Sequence, residues 1–217
     1  MMRRFLLFCL VFFAGNSFAQ VSIPFDFTSE EENRLIKEND SLKYFVASTD
    51  TNNIVVLNEE NAWYKLLSKE HKLIAEGAYI QDGDKYLQTG KWVAQHENGK
   101  IRTTGYYQRN MPVGMWQEFY ANGKLKMISN YGIFNYKGEV SSCLSGTWQE
   151  YFTNGKLKIN GFYCGTIFTY KDTINVDDPV TSSTIQKEIT HREIRAEKVG
   201  HWEYFTEAGE LEKSVDF

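Results

Sequence analysis

The sequence predicts a mostly β fold, in which repeated β-hairpins form an antiparallel meander and an elongated, twisted sheet, with one short helix near the N-terminus. The phrase GMWQEFYANGKLK, which begins at Gly114, returns as GTWQEYFTNGKLK at Gly146. Asn-Gly between apolar residues is the strongest short-range indication of a hairpin. The chain also has 15% aromatic residues and 16 glycines but only 3 prolines, a balance that suits short strands joined by tight turns.

Residues 1–19 are typical of a bacterial secretory signal peptide. Arg3 and Arg4 precede a short apolar run, and a small-x-small cleavage site ends near Ala19-Gln20. The apolar run is too short for a permanent membrane helix, and no later segment has the apolar length of one. We therefore expect a cleaved, exported protein, in the periplasm or outside the cell, with no integral membrane segment after cleavage.

Charge and motifs narrow the class of function. Cleavage removes two of the 24 basic residues and none of the 28 acidic ones, so the formal net charge moves from −4 to −6. No basic patch stands out, and we expect no nucleic-acid partner. The sequence contains no CxxC or HExxH metal motif, no phosphate loop and no nucleophile elbow. It therefore predicts a protein that is not an enzyme and holds no metal and no cofactor.

The segment 20–56 predicts a short helix that covers the first edge of the sheet. Ser29 followed by Glu32 matches a capping box. Leu35, Ile36 and Leu42 give a weak apolar stripe after it. Such a helix would protect an exposed edge strand.

Residues 57–217 form a repeat array when the chain is aligned on tryptophan. Each of four tryptophans follows a glycine by two residues, precedes a second glycine by seven and precedes an aromatic residue by fifteen. The tryptophans are Trp92, Trp116, Trp148 and Trp202; the second glycines are Gly99, Gly123, Gly155 and Gly209; the copies span 90–107, 114–131, 146–163 and 200–217. A fifth copy at 61–79, aligned on Trp63, needs one extra residue.

Each unit predicts one hairpin of about seven residues a side. Because side chains alternate along a strand, the tryptophans share one face, where they are expected to meet the aromatic residues of neighbouring hairpins. These tryptophans and the second glycines are therefore interpreted as structural. Three aromatic residues on the opposite face are candidates for partner binding: Phe119, Tyr151 and Phe205.

Two insertions lengthen the array. Residues 132–145 predict a longer hairpin with Lys137-Gly138 at its tip, and residues 166–199 predict a hairpin or arm that stands off the sheet. A turn at Asn154-Gly155 would place Cys143 and Cys164 one diagonal step apart. The sequence therefore predicts a possible disulfide between these two cysteines, which an oxidising compartment would permit.

The phrase Gly-x-Trp-x-x-aromatic-x-x-Asn-Gly-Lys-Leu, which closes on Gly-x-Tyr, resembles the bacterial variant of the MORN repeat. The resemblance implies a meander of hairpins in a single sheet. Many bacterial members carry the label of a YwqK-like antitoxin, and eukaryotic MORN proteins are linked to acidic lipids and to protein scaffolding. Choline-binding repeats are also similar, but they keep Gly and Trp adjacent, whereas Met115 separates Gly114 from Trp116 here.

These observations favour an exported, non-enzymatic scaffold for protein–protein interaction in the cell envelope or outside the cell. One alternative is a glycan- or small-ligand-binding repeat protein that uses exposed aromatic rings, and a second is an antitoxin-like neutralising protein. Exposed, coplanar rings would favour a glycan. Rings buried between hairpins, together with a flat polar face or an exposed edge strand, would favour a protein partner.

Overall fold

The computed structural model describes residues 34–39, 42–46, 53–83, 85–177 and 184–217, and the regular structure in these ranges is β-strand throughout. The strands are β1 (Arg34–Asn39), β2 (Leu42–Val46), β3 (Asn53–Asn58), β4 (Trp63–Ser68), β5 (Leu73–Asp82), β6 (Lys85–Gln95), β7 (Ile101–Gln108), β8 (Met111–Phe119), β9 (Leu125–Tyr136), β10 (Glu139–Leu144), β11 (Gly146–Tyr151), β12 (Leu157–Asp177), β13 (Thr184–Phe205) and β14 (Leu211–Asp216).

All fourteen strands belong to one antiparallel sheet, which confirms the predicted meander. From β1 to β9 and from β11 to β14, each strand pairs with the next one along the chain. β9 is the exception, because one of its sides pairs with β8 and the other is shared by β10 and β11. The first insertion therefore extends the sheet locally without breaking the order of the repeats.

The predicted N-terminal helix is not found in the described part of the chain. Leu35 and Ile36 lie in β1 and Leu42 lies in β2, so the weak apolar stripe belongs to a β-hairpin. β2 pairs in turn with β3, and this pairing extends the sheet instead of covering its edge. The capping pair Ser29 and Glu32, like the predicted signal peptide 1–19, lies outside the described residues.

Both insertions form hairpins, as predicted. β9 turns into β10 at Lys137 and Gly138, whose φ values of 50° and 86° indicate a two-residue turn with both residues left-handed. In the second insertion, residues 164–177 of β12 pair with residues 184–197 of β13. We call this two-stranded extension the arm.

The repeat turns differ in detail from the predicted Asn-Gly turn. In the second tryptophan copy the Gly123 amide donates to the Tyr120 carbonyl and the Tyr120 amide donates to the Lys124 carbonyl, both at 2.8 Å. Gly123 has a φ of 90°, whereas Asn122 is not left-handed. The loop therefore has three residues, a type I turn followed by a glycine bulge.

In the first copy, Tyr64 and not Trp63 takes the tryptophan position. Tyr64 pairs with Gly77 on the return strand of its hairpin. Each later tryptophan pairs in the same way with a residue on the return strand of its own hairpin. Ala62 stands at the position of the entry glycine with a φ of 51°, and His71 stands at the turn glycine with a φ of 60°. With this shift of one residue the first copy needs no insertion.

The core lies on one face of the sheet, which we call the ladder face because it carries the tryptophans; the other is the open face. Two clusters of buried residues cover it. The first contains Val55, Leu57, Tyr64, Tyr79 and Trp92, and the second contains Met127, Trp148, Tyr163 and Trp202. A single-layer sheet thus buries one face and leaves the other available.

Candidate interaction surface

Three repeats begin with a bulge that the Gly-x-Trp sequence makes. On β8, the three residues 114–116 lie opposite Gly105 alone on β7, because the register shifts there. Gly114 has a φ of 64°, a conformation that costs other L-residues energy. The same shift occurs between β5 and β6 and between β12 and β13. The bulge aims the tryptophan side chain at the neighbouring repeat.

Three glycines each lie beneath the tryptophan of the following repeat: Gly77 beneath Trp92, Gly105 beneath Trp116 and Gly161 beneath Trp202. A Cβ at Gly105 would lie 2.1 Å from the Trp116 ring, far inside van der Waals contact. The glycine of Gly-x-Tyr is therefore the floor of a docking site for the next repeat.

The aromatic rings form a ladder along the ladder face, with centroids 4.9–6.4 Å apart and interplanar angles of 75–89°. Tyr107 contacts Trp116 at 4.9 Å and Tyr163 contacts Trp202 at 5.1 Å. These contacts confirm that tryptophans meet aromatic residues of neighbouring repeats. Edge-to-face pairs of this kind stabilise packing beyond the area that they bury.

The ladder changes where serine replaces the floor glycine. The pairing of β9 with β11 places Ser129, which is 1% exposed, opposite Trp148. The Trp148 indole N–H donates to Glu150 at 3.2 Å, whereas the Trp92 indole donates to the backbone carbonyl of Ala78 at 2.8 Å. The Cβ of Ser129 is thus accommodated beside Trp148, and the indole of this tryptophan makes a different hydrogen bond.

The Asn-Gly-Lys turns also join neighbouring repeats. Asn98 donates from its amide to the Ala121 carbonyl at 2.7 Å, and Lys100 donates from Nζ to the Asn122 carbonyl at 2.8 Å. The same arrangement recurs for Lys124 to Asn154, Asn154 to Glu207 and Lys156 to Ala208. The recurring polar residues, like the recurring tryptophans, therefore serve contacts between repeats.

Burial keeps the ladder tyrosines neutral. It raises the pKa of Tyr107 and of Tyr163 to about 12, and it also raises the pKa values of Tyr64 and Tyr131. Desolvation disfavours the phenolate, so these hydroxyls are not acid–base groups at neutral pH. The ladder tyrosines therefore behave as packed core residues.

Large apolar side chains are exposed on the open face. Five of them project from the side of the sheet opposite the ladder: Tyr106, Met115, Phe162, Phe168 and Tyr170. Their exposed fractions run from 37% for Phe168 to 53% for Met115. Exposed aromatic side chains are enriched at interaction sites.

The arm continues this surface beyond the repeats. Tyr170 stacks on His191 with centroids 5.0 Å apart and planes within 16°. Phe168 lies 6.1 Å from Tyr170 on the same side, and the Arg195 guanidinium sits 4.1 Å above the Phe168 ring. These side chains form one row of rings on a ribbon of two strands, with the Arg195 guanidinium at one end.

The three predicted partner-binding residues are half-buried. Phe119, Tyr151 and Phe205 each stand three residues after a tryptophan, so strand alternation puts them on the open face. The backbone carbonyl of Tyr151 accepts the Tyr120 hydroxyl at 2.7 Å, and that of Phe119 lies 2.8 Å from His96 Nε2. The preceding repeat thus fixes the backbones of Phe119 and Tyr151. The role of all three residues in binding stays a prediction.

No disulfide joins Cys143 and Cys164 in the structure. Cys143 lies on β10 opposite Gly132 of β9, because the first insertion forms its own hairpin. Its sulfur and the Phe134 ring lie over Gly165, at 2.7 and 2.2 Å from where a Cβ would be. Cys164, the residue before Gly165, points to the other side of β12 and is exposed. The predicted pairing is therefore corrected.

A small cavity lies on the ladder face between two repeats. It measures about 20 Å³ and is lined by Trp92, Tyr107 and Trp116, among others. Gln88 Nε2 and Trp116 Nε1 are buried without a hydrogen-bond partner among the described residues. That volume suits one water molecule, so the cavity is too small for a sugar or another organic ligand.

Two further features are absent from the described ranges. No helix there is long and apolar enough to cross a membrane. No group of three or more His, Cys, Asp or Glu side chains there is arranged to hold a metal ion.

The repeat geometry agrees with a known family. Residues 88–109, 112–131 and 144–164 match the MORN repeat variant. These three segments are similar to MORN repeats. No curated protein and no solved structure matches it. MORN repeats commonly bind proteins or membranes and are generally non-enzymatic modules. The copies at 61–79 and 200–217 lie outside the matched segments, yet they form hairpins in the same sheet.

Proposed function

We propose that this protein is an exported, non-enzymatic scaffold that binds another protein through the open face of its sheet and arm. One observation carries the proposal. The residues that recur are engaged in contacts between repeats, while the exposed aromatic side chains of Tyr106, Phe162, Phe168 and Tyr170 lie on the opposite side, two of them on the arm. The repeats supply a rigid platform and the variable residues supply the recognition.

The ring geometry supports a protein partner over a glycan. The ladder rings are packed edge to face between hairpins, and Trp92, Trp148 and Trp202 are buried. The exposed rings of the arm offer no free coplanar row either, because Phe168 and Tyr170 are tilted by 33°, the Arg195 guanidinium covers the Phe168 ring and His191 stacks on Tyr170. The open face instead mixes aromatic residues with charged neighbours such as Arg195, which is the composition of protein interfaces.

Export rests on the N-terminal sequence, where Arg3 and Arg4, an apolar run and a small-x-small site follow one another. An exported scaffold has its partner in the envelope or outside the cell. This placement argues against neutralisation of an intracellular toxin.

Site-specific photo-crosslinking in the native cell tests the proposal. A photoreactive phenylalanine at Tyr170 should capture a discrete protein partner, whereas the same group at Thr169 should not. The two positions are adjacent and both exposed, but they lie on opposite faces of the arm. Equal capture at both positions, or capture at neither Tyr170 nor Phe162, would contradict it.

A double substitution supplies the matched loss-of-function test. Phe168→Ser with Tyr170→Ser should abolish the crosslink from Phe162 without lowering the unfolding midpoint, because both side chains are more than a third exposed. If the crosslink were retained, Phe168 and Tyr170 would not contribute to binding the partner.

A further inference from the structure

The hairpin of β9 and β10 packs against the arm on the side away from its exposed rings. Among the described strands β10 pairs only with β9, yet it also lies against β12 and β13. The Phe134 ring and the Cys143 sulfur cover Gly165, at the root of the arm. Because side chains alternate along β12, Gly165 faces the side opposite Phe168 and Tyr170. The two insertions therefore form two layers in contact.

Exposure along the hairpin alternates as this packing requires. Phe134 and Tyr136 are half-buried, whereas Ile133, which points to the other side of β9, is 38% exposed. Cys143 pairs with Gly132, shares the side of Phe134 and is 8% exposed. The buried side of the hairpin is thus the side that faces the arm.

A polar contact joins the hairpin and the arm farther from the root. The Arg192 guanidinium donates to the Tyr136 hydroxyl, and its central carbon lies 5.6 Å from the centroid of the Tyr136 ring. Arg192 pairs with Thr169 across the arm. Since Thr169 stands between Phe168 and Tyr170, this contact lies directly behind the two exposed rings.

The hairpin is itself attached to the repeats. Residues 125–131 of β9 pair with β8. On β10, the Ser142 hydroxyl donates to the Pro112 carbonyl of β8. The arm is therefore connected to the repeat sheet twice, through its own strands at the root and through the hairpin behind it.

The second connection matters because the arm is long. Tyr170 stands five residues beyond Gly165, so it lies about 17 Å from the root, and a swing of about 20° there would displace its ring by about 6 Å. A ribbon of two strands alone is marginal in water. Ordering such a ribbon when a partner binds would lower the affinity.

We propose that the β9–β10 hairpin holds the arm in one orientation, and that Phe134 and Tyr136 are positioning residues for the binding of a partner by Phe168 and Tyr170. This inference rests on the proposed function of the arm. The hairpin acts from behind the binding surface, and it raises the affinity by fixing the rings before the partner arrives.

Distances between two spin labels test whether the hairpin holds the arm. The labels are attached to ketone side chains introduced at Lys91 in the repeats and at Lys187 in the arm, both of which are exposed. Phe134→Ala should broaden the distribution of distances at least about twofold. It should also lower the affinity for the protein captured from Tyr170 at least about tenfold. Ile133→Ala, on the same strand but on the other side, should change neither quantity.

A reversible covalent link separates positioning from folding. A Cβ at position 165 would lie 2.7 Å from the Cys143 sulfur, within reach of a disulfide. Exchange with oxidised glutathione should form this bond in Phe134→Ala with Gly165→Cys, on a Cys164→Ser background. The oxidised variant should regain the narrow distribution of distances and the wild-type affinity, and reduction should remove both.

Three results would overturn the proposal: an unchanged distance distribution in Phe134→Ala, equal broadening in Ile133→Ala, or a disulfide that narrows the distribution without restoring affinity. A broad distribution with wild-type affinity would overturn the positioning role and leave the proposed function intact. If Tyr170 captured no protein, the proposed function would fail and the positioning role with it, while the distances would still show whether the hairpin holds the arm.

Discussion

Gly161→Ala should destabilise the protein by about 2–6 kcal/mol. The new Cβ would lie 2.2 Å from a ring carbon of Trp202, whereas carbon atoms pack at about 3.5–4.0 Å. The ring, which is 1% exposed and packed against Tyr163, would have to move by more than about 1 Å. Overpacking of this kind costs about 1–3 kcal/mol. Displacing the indole N–H from the carbonyls of Phe162 and Val199, each at 3.2 Å, leaves a buried donor at a further cost of about 1–3 kcal/mol.

Urea unfolding followed by tryptophan fluorescence measures this loss as a lower midpoint with an unchanged slope. Ser129→Ala is the matched control, because it places the same side chain opposite Trp148, where a Cβ is already accommodated. We expect that control to lose about 1 kcal/mol, the value of one hydrogen bond. If Gly161→Ala cost no more than Ser129→Ala, the glycine would not be the docking floor that the packing implies.

Three further predictions concern the turns and the ladder. His71→Gly should stabilise the protein by about 0.5–1 kcal/mol in urea unfolding, because glycine relieves a left-handed φ of 60°; a loss of stability would contradict this reading. Burial raises the pKa of Tyr107 and Tyr163 from 10.0 to about 12. The stability that these neutral tyrosines contribute to the folded state is therefore fully present below pH 10. It is lost between about pH 10 and 12, by up to about 1.4 kcal/mol per pH unit for each tyrosine. An unfolding free energy that stayed constant across that range would refute this prediction. Asn154→Ala should cost about 1 kcal/mol more than Asn122→Ala in the same assay, because Asn154 also donates to the next repeat at 2.9 Å, and equal losses would mean that the contact between turns contributes nothing.

The repeat pattern predicted the hairpins, their order and the face of the tryptophans, because those features follow from short-range spacing and from alternation along a strand. It could not place Trp63 correctly. The alignment used the tryptophan side chain, whereas the positions that define the first copy are Ala62 and His71, which have positive φ values. Alanine and histidine do not indicate a positive φ in a sequence. The helix predicted after Ser29 failed for Leu35 and Leu42 because strand pairing overrode a weak periodicity.

The interaction surface was predicted only in part. Alternation put Phe119 and Tyr151 on the open face, but it could not reveal that the arm carries the exposed rings of Phe168 and Tyr170. That required the pairing of β12 with β13. The prediction of a disulfide between Cys143 and Cys164 was wrong for a related reason. It assumed that residues at equal distances from one turn face each other, and this neglects the hairpin of β9 and β10 that is inserted beside that turn.

The most direct test of the central claim measures partner affinity and unfolding free energy together in two variants. The partner is the protein captured from Tyr170. The open-face variant Phe168→Ser with Tyr170→Ser should lose at least about tenfold in affinity and keep its stability. The ladder variant Tyr163→Leu should lose about 2–3 kcal/mol of stability and, while folded, keep its affinity. Normal binding by the open-face variant, or weakened binding by the folded ladder variant, would contradict the claim that recurring residues build the sheet and the open face binds the partner.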